Sequence, residues 1–155
     1  MKQLLLLRHG EAGFSDGLDY QRQLTPNGKQ SLNRLGVILK RKELQVQRMY
    51  CSSAQRTMET ASLLSEYIPI EETIYSREIY EGDMACLIEL LEKTPSSIDR
   101  CLLVGHNPTI SLLQSVITDE GYLGLQPGMM VIIDLHISDW MMIGQATGSL
   151  KEVYQ

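Results

Sequence analysis

Four side chains in this chain are suited to holding and attacking a phosphoryl group. They are Arg8, His9, Arg56 and His106. A guanidinium matches the oxygens of a phosphoryl group in bidentate fashion. A neutral imidazole can attack phosphorus, and a second one can donate a hydrogen bond to the charge that develops. No Asp and His cluster with metal-ligand spacing accompanies the histidines, so we expect chemistry without a metal or an organic cofactor.

Each of these residues follows a run that reads as a strand. The continuous apolar run Leu4–Leu7 predicts a strand buried on both faces, and Arg8 follows it directly. The run Cys101–Gly105 predicts a second buried strand, followed by His106. The carboxyl ends of parallel strands share one edge of a sheet, where α/β proteins bind ligands. The cations and imidazoles can therefore converge there.

The other elements predict an α/β sheet that is mainly parallel. Thr25 and Pro26 are suited to the N-cap and first position of a helix. Met129–Leu135 reads as another apolar strand, and Trp140–Ala146 is expected to return antiparallel to it. Without a repeat or an interdomain linker, residues 1–155 are expected to form one domain.

Two helices are predicted to begin at the edge that carries the site. Ser52 and Gln55 have the Ser-x-x-Gln spacing of a capping box, which would place Arg56 in a first helical turn, where anions bind. Asn107 and Pro108 are expected to be the N-cap and first residue of a helix that follows the last histidine.

Composition excludes several classes of partner. The net charge is −5 and no long basic run occurs, which argues against nucleic acid as a partner. No apolar run approaches the ~20 residues that span a bilayer, so no membrane partner is expected. The three cysteines are an odd number without metal-ligand spacing, as expected for buried thiols in a reducing compartment. We therefore expect a cytoplasmic location.

Four segments together resemble a known family. Leu7–Ala12 is similar to the opening motif of the histidine phosphatase superfamily, the phosphoglycerate mutase-like proteins. Asp19–Thr25 resembles its D-x-x-R-x-L-T segment, and Ser52–Ala61 its S-x-x-x-R-x-x-x-T-A segment. Leu103–Pro108 resembles the V-G-H-N-P form of the small SixA-type phosphohistidine phosphatases. The segments occur in family order over about two-thirds of the chain.

This resemblance implies a role for each of the four residues and a fold. His9 would be the nucleophile that forms a phosphohistidine intermediate, which water then hydrolyses. Arg8 and Arg56 would hold the phosphoryl group, and His106 would stabilise the transition state. The expected fold is a three-layer α/β/α domain of phosphoglycerate mutase type, without the lid of larger members.

Three further residues are less firmly indicated. Larger family members protonate the leaving oxygen with a carboxylic acid, and Glu81 is the best-placed candidate, ahead of Glu78 and Asp83. Glu81 could equally be an exposed loop carboxylate before a helix. Arg22 and Asn107 could form the rim of the pocket, although a salt bridge within the loop would also explain Arg22.

The resulting hypothesis is a phosphohistidine phosphatase of SixA type with an open, shallow site. Its substrate would be a protein phosphorylated on histidine. One alternative is a phosphatase for a small phosphomonoester, which a deep pocket and a Glu81 directed at the phosphate would favour. The other alternative is a module that binds a phosphorylated ligand without catalysis. The presence of two histidines beside two arginines counts against that alternative.

Overall fold

A six-stranded sheet forms the centre of the molecule, and the computed structural model describes all of residues 1–155. The strands are β1 (Lys2–Arg8), β2 (Val46–Ser52), β3 (Ile70–Ser76), β4 (Arg100–Gly105), β5 (Met130–Leu135) and β6 (Gly148–Tyr154). Their order across the sheet is β3-β2-β4-β1-β5-β6. The first four in this order run parallel, and β5 is antiparallel to both β1 and β6.

Five helices cover the sheet or connect its strands. They are α1 (Pro26–Arg41), α2 (Gln55–Ser65), α3 (Arg77–Glu81), α4 (Met84–Glu92) and α5 (Thr109–Thr118), with 3-10 turns at Asp19–Gln21 and Trp140–Met142. None of them is both long enough and apolar enough to cross a bilayer. The segment between α2 and β4 holds only β3, α3 and α4, so the structure has no lid subdomain.

The sheet separates two apolar core layers, and the side chains of β1 alternate between them. Leu4 and Leu6 belong to one cluster of buried side chains, and Leu5 and Leu7 belong to the other, on the opposite face of the sheet. All four leucines are fully buried. Burial on both faces explains the continuous apolar run. It confirms the predicted three-layer arrangement.

Helix α1 begins as the sequence predicts. The Thr25 hydroxyl accepts a hydrogen bond from the N–H of Gly28 at 3.0 Å, and Pro26 is the first helical residue. The opening turn packs closely on the loop that follows β1, because a Cβ at Gly28 would lie 2.3 Å from the carbonyl oxygen of Glu11. The backbone of Thr25 also donates to that oxygen. The start of α1 therefore fixes the loop next to the predicted site.

The two helix starts predicted at the site edge are wrong, by two residues in α2 and by one residue in α5. Ser52 is the last residue of β2, so its backbone is committed to the sheet, and α2 begins at Gln55 after Ala54 without a side-chain cap. The residue at the N-cap of α5 is Pro108, and the Asn107 amide is hydrogen-bonded to Leu125 and Ser111 instead of capping the helix.

The strand predicted after β5 is also misplaced. Trp140 begins a 3-10 turn, is fully buried, and donates its indole N–H to the carbonyl of Ile98 at 2.7 Å. Trp140 and Ile143 of that segment thus fill one end of the core, whereas Met141 and Met142 are exposed. The antiparallel strand follows later, as Gly148–Tyr154, where buried or half-buried residues alternate with exposed ones.

Candidate active site

The pairing of β1 with β4 brings two histidines side by side. Arg8 is opposite Gly105 in the parallel register, so His9 and His106 leave neighbouring strands at the same edge of the sheet. Their ring centroids are 5.2 Å apart. The backbone N–H of His9 also donates to the carbonyl of Gly105 at 3.1 Å, which extends the pairing past the strand end.

Hydrogen bonds determine which nitrogen of His9 carries the proton. Its Nδ1 lies 2.7 Å from the carbonyl oxygen of Gly10, and a carbonyl can only accept. The proton is therefore on Nδ1, and Nε2 keeps its lone pair. That lone pair accepts from Nε of Arg56 at 3.3 Å. Burial, followed by the nearby arginines, lowers the pKa of His9 to about 4, so the ring is neutral at pH 7.

The same reasoning fixes the state of His106. Its Nδ1 lies 3.4 Å from the NH2 nitrogen of Arg56, which can only donate, so Nδ1 is an acceptor. Its Nε2 then carries the proton and donates it to the hydroxyl of Ser52 at 2.8 Å. Burial is also the largest cause that lowers the pKa of His106, to about 3. Both imidazoles therefore direct a lone pair toward Arg56.

Arg56 lies in the first turn of α2, as predicted, and is only 6% exposed. Besides the two imidazoles, it donates from NH1 to the backbone carbonyl of Asp19 at 2.8 Å and from NH2 to Oδ2 of Asp19 at 3.1 Å. Its guanidinium therefore joins the two histidines to the loop that follows β1.

Arg8 occupies the other side of the site. Its NH1 donates to the carbonyl of Leu125 at 3.0 Å, and its buried Nε has no hydrogen-bond partner. The carbonyl of Leu125 also accepts from Nδ2 of Asn107 at 2.7 Å. The structure thus brings Arg8, His9, Arg56 and His106 together, as the sequence predicts.

The three less firmly indicated residues lie elsewhere or serve other contacts. Glu81 is exposed at the end of α3, where it accepts from Nε of Arg77 at 2.6 Å and makes no hydrogen bond with the histidines. Arg22 binds within its own loop, including Oδ1 of Asp19 at 3.1 Å. Both ends of the Asn107 amide are occupied, since its Oδ1 accepts from Ser111 at 2.6 Å.

Two residues of the site were not assigned a role from the sequence. The Ser52 hydroxyl accepts a hydrogen bond from Nε2 of His106, although the spacing of Ser52 and Gln55 indicated a helix cap. Tyr80 donates to Oδ2 of Asp19 at 2.8 Å, and its ring lies edge-on to His106 at 5.4 Å. No local pattern marks Tyr80, because its contacts depend on how α3 packs against the site.

The site is not an enclosed cavity. None of the cavities in the molecule is lined by a residue of the histidine and arginine cluster, and the side chains of Arg8 and His106 are partly exposed. No three His, Cys, Asp or Glu side chains come together closely enough to hold a metal ion.

Comparison with known proteins identifies the family. The family described as "Histidine phosphatase superfamily (branch 1)" matches residues 4–115, which include all four residues of the cluster. The chain belongs to the histidine phosphatase superfamily. It is a phosphatase by this membership, and the family resemblance seen in its motifs is confirmed.

The chain is also similar to individual proteins and solved structures. An uncharacterized protein of Mycobacterium leprae is 27% identical over 120 residues, which cover 74% of this chain and 73% of that one. A structure from Nakamurella multipartitia, named for phosphohistidine phosphatase SixA, has a TM-score of 0.84 at 23% identity and covers 99% of this chain and 95% of that chain. The protein histidine phosphatase SixA complexed with tungstate also has a TM-score of 0.84, at 19% identity, with coverage of 97% and 95%. These likenesses confirm the predicted phosphoglycerate mutase-like fold.

Proposed function

We propose that the chain is a phosphohistidine phosphatase of SixA type that acts without a metal or an organic cofactor. The observation that carries the proposal is the state of His9. Its Nδ1 proton is held by the Gly10 carbonyl, and its Nε2 lone pair faces Arg56 in a buried, cationic site. A neutral imidazole with its lone pair toward a phosphate-binding group is a nucleophile for phosphorus.

In the first half of the reaction, Nε2 of His9 forms a bond to phosphorus while the bond from phosphorus to the substrate nitrogen breaks. The equatorial oxygens gain hydrogen bonds from Arg8 and Arg56, which stabilise their charge. The leaving imidazole takes its proton from solvent, which reaches an open site. His9 keeps its Nδ1 proton on the Gly10 carbonyl throughout.

In the second half, water attacks the phosphoryl group on His9, the bond from phosphorus to Nε2 breaks, and orthophosphate leaves. The Nδ1 lone pair of His106 accepts the proton of the attacking water and passes it to solvent as orthophosphate leaves, which restores the neutral ring. The sequence prediction had His106 donating a hydrogen bond to the transition state. A neutral ring with its proton on Nε2 could donate from Nδ1 only after taking a proton from a singly protonated phosphoryl group, and it would have to return that proton before accepting one from water.

The surroundings of the site favour phosphohistidine over a phosphomonoester. An alkoxide leaving group needs a positioned acid, whereas the nitrogen of a phosphoramidate is itself basic and easily protonated. The Glu81 carboxylate, which the sequence indicated as the acid, is instead exposed and paired with Arg77. The absence of an enclosed pocket suits a side chain presented on a protein surface. The fold shared with SixA supports the same substrate.

Trapping of the intermediate tests the nucleophile. After brief incubation with a protein phosphorylated on histidine, we expect an acid-labile, alkali-stable phosphoryl group on the wild-type chain and none on His9→Ala. The third histidine offers a matched control, because His136 bonds to Ser149 at the far end of β5. His136→Ala should be trapped like the wild type. A phosphoryl group on His9→Ala would refute the assignment.

Substrate preference and metal independence need separate measurements. We expect kcat/KM on the phosphohistidine protein to exceed that on every member of a panel of phosphomonoesters. A clear preference for a metabolite would favour the phosphomonoesterase alternative. Activity should be unchanged after exhaustive treatment with EDTA, and a strict metal requirement would refute the metal-free mechanism. Binding of the phosphorylated protein without turnover would instead support a binding module.

A further inference from the structure

The donors of Arg56 form two separate forks. A guanidinium has five N–H groups. One fork consists of Nε and NH2 along the side of the group, and the other consists of NH1 and NH2 at its end. Each fork matches the spacing of two oxygens of a carboxylate or phosphoryl group. If residues of the protein bind one fork of Arg56, the other fork remains available to bind the substrate.

The side fork of Arg56 faces the two imidazoles. Nε donates to His9 at 3.3 Å and NH2 donates to His106 at 3.4 Å. Both distances exceed the usual 2.7–3.2 Å of N–H donors, which indicates weak bonds. Both acceptors must also be released during the reaction, since His9 attacks phosphorus and His106 takes a proton. The oxygens of a phosphoryl group can therefore replace the two ring nitrogens as acceptors.

The end fork of Arg56 is filled by one residue. NH1 donates to the backbone carbonyl of Asp19 at 2.8 Å, and NH2 donates to its Oδ2 at 3.1 Å. These bonds have ordinary lengths and do not involve a reacting atom. We propose that Asp19 is a positioning residue that holds the end of the Arg56 guanidinium, so that its side fork meets the phosphoryl group during transfer to His9. The inference rests on the proposed function.

Asp19 is itself held from two further directions. Tyr80 donates to Oδ2 at 2.8 Å and Arg22 donates to Oδ1 at 3.1 Å. The hydrogen bond from Tyr80, followed by those from the two arginines, lowers the pKa of Asp19 to about 2, so it stays charged at neutral pH. Although the carboxylate is half-exposed, its three donors come from three different segments of the chain. This arrangement fixes the carboxylate more firmly than a single surface ion pair would.

The Asp19 carboxylate should have opposite effects on two measurable quantities, the affinity for an oxyanion and the rate of phosphoryl transfer. Measuring both distinguishes a positioning role from a binding role. The negative charge of Asp19 repels an oxyanion, while its bonds orient Arg56 for the transfer step. Removal of the carboxylate should therefore slow phosphoryl transfer without weakening binding of an oxyanion. A general loosening of the site would instead weaken both.

The test compares Asp19→Ala with the wild type in single-turnover transfer from a phosphohistidine protein and in binding of inorganic tungstate. We expect the transfer rate to fall about 100-fold, the loss typical of a misplaced catalytic group. Tungstate affinity should stay equal or become tighter. Asp16→Ala is the matched control, because Asp16 is an exposed carboxylate of the same loop with no hydrogen bond, and it should behave as the wild type. If Asp19→Ala does not fold, Asp19→Asn should show a smaller loss with the same pattern.

A second background shows whether Asp19 acts through Arg56. A lysine has no planar fork to orient, so in Arg56→Lys the further change Asp19→Ala should have little effect. The inference is overturned if Asp19→Ala transfers at the wild-type rate, if tungstate binding weakens in parallel, or if the loss is equally large in the lysine background. Failure of the wild-type chain to form phosphorylated His9 would instead overturn the proposed function itself.

Discussion

The hydroxyl of Thr60 accepts a hydrogen bond from the backbone N–H of Gly10 at 3.1 Å. It also donates to the carbonyl of Arg56, one helical turn earlier in α2, at 2.8 Å. One fully buried hydroxyl therefore joins the residue after His9 to the helix that carries Arg56. This contact explains why a threonine four residues after the arginine accompanies the site.

Thr60→Val should destabilise the fold by about 1–3 kcal/mol, because the buried N–H of Gly10 would lose its acceptor while the shape of the side chain is kept. Urea denaturation measures the change. Thr73→Val is the matched control on the exposed face of β3 and should change the free energy of unfolding by less than about 0.5 kcal/mol. If the two variants lower the free energy of unfolding equally, the hydrogen bond from Gly10 to Thr60 contributes nothing to stability.

Ser52→Ala should lower kcat/KM by about tenfold, as expected for loss of one hydrogen bond to a catalytic ring. The variant removes the acceptor of the His106 Nε2 proton, so the ring can place its proton on Nδ1, next to the donors of Arg56. Ser65→Ala is the control at the exposed end of α2. Unchanged activity in Ser52→Ala would mean that the tautomer of His106 does not depend on this bond.

The sequence predicts the site best where local chemistry determines the structure. Four consecutive leucines require burial on both faces of the sheet, so their strand lies in its interior. Arg8 and His9 are therefore placed at the carboxyl end of a central strand. The Thr25 and Pro26 pair marks the start of α1 because an N-cap hydroxyl and a proline satisfy needs confined to one helical turn.

Prediction fails where the partner of a side chain is distant in the chain. Ser52 matches a capping box, but its hydroxyl is bonded to His106, 54 residues away. The apolar run at Trp140 reads as a strand, yet the indole is buried against Ile98, reached only through the fold. The contact of Tyr80 with Asp19 spans 61 residues. Neither local spacing nor propensity encodes such pairs.

The low pKa values of the two site histidines predict an acid-dependent loss of stability. Burial lowers the pKa to about 4 in His9 and about 3 in His106, against about 6.5 in an unfolded chain. Below about pH 6.5 the unfolded chain binds more protons than the folded one, so the free energy of unfolding should fall as the pH is lowered toward about 4. Above about pH 6.5 both rings are neutral in both states and contribute no pH dependence.

Denaturation of the wild type and of His9→Asn between about pH 7 and pH 5 measures this linkage. Carboxylates that titrate at the lower end are common to both proteins, so the difference between them isolates His9. The wild type should lose more stability than the variant as the pH falls. Parallel curves would show that His9 is not held neutral by the fold.

Glu81→Gln should leave kcat/KM on a phosphohistidine protein within about twofold of the wild type. The carboxylate is 58% exposed and paired with Arg77, and an exposed ion pair contributes at most about 1 kcal/mol to stability. A general acid contributes about 100-fold or more, so the two roles are well separated. Glu89→Gln, at an exposed carboxylate of α4, is the matched control. A loss near 100-fold confined to Glu81→Gln would make Glu81 the proton donor despite its exposure and its ion pair with Arg77. Because a nitrogen leaving group needs no such donor, that outcome would also favour a phosphomonoester as the substrate.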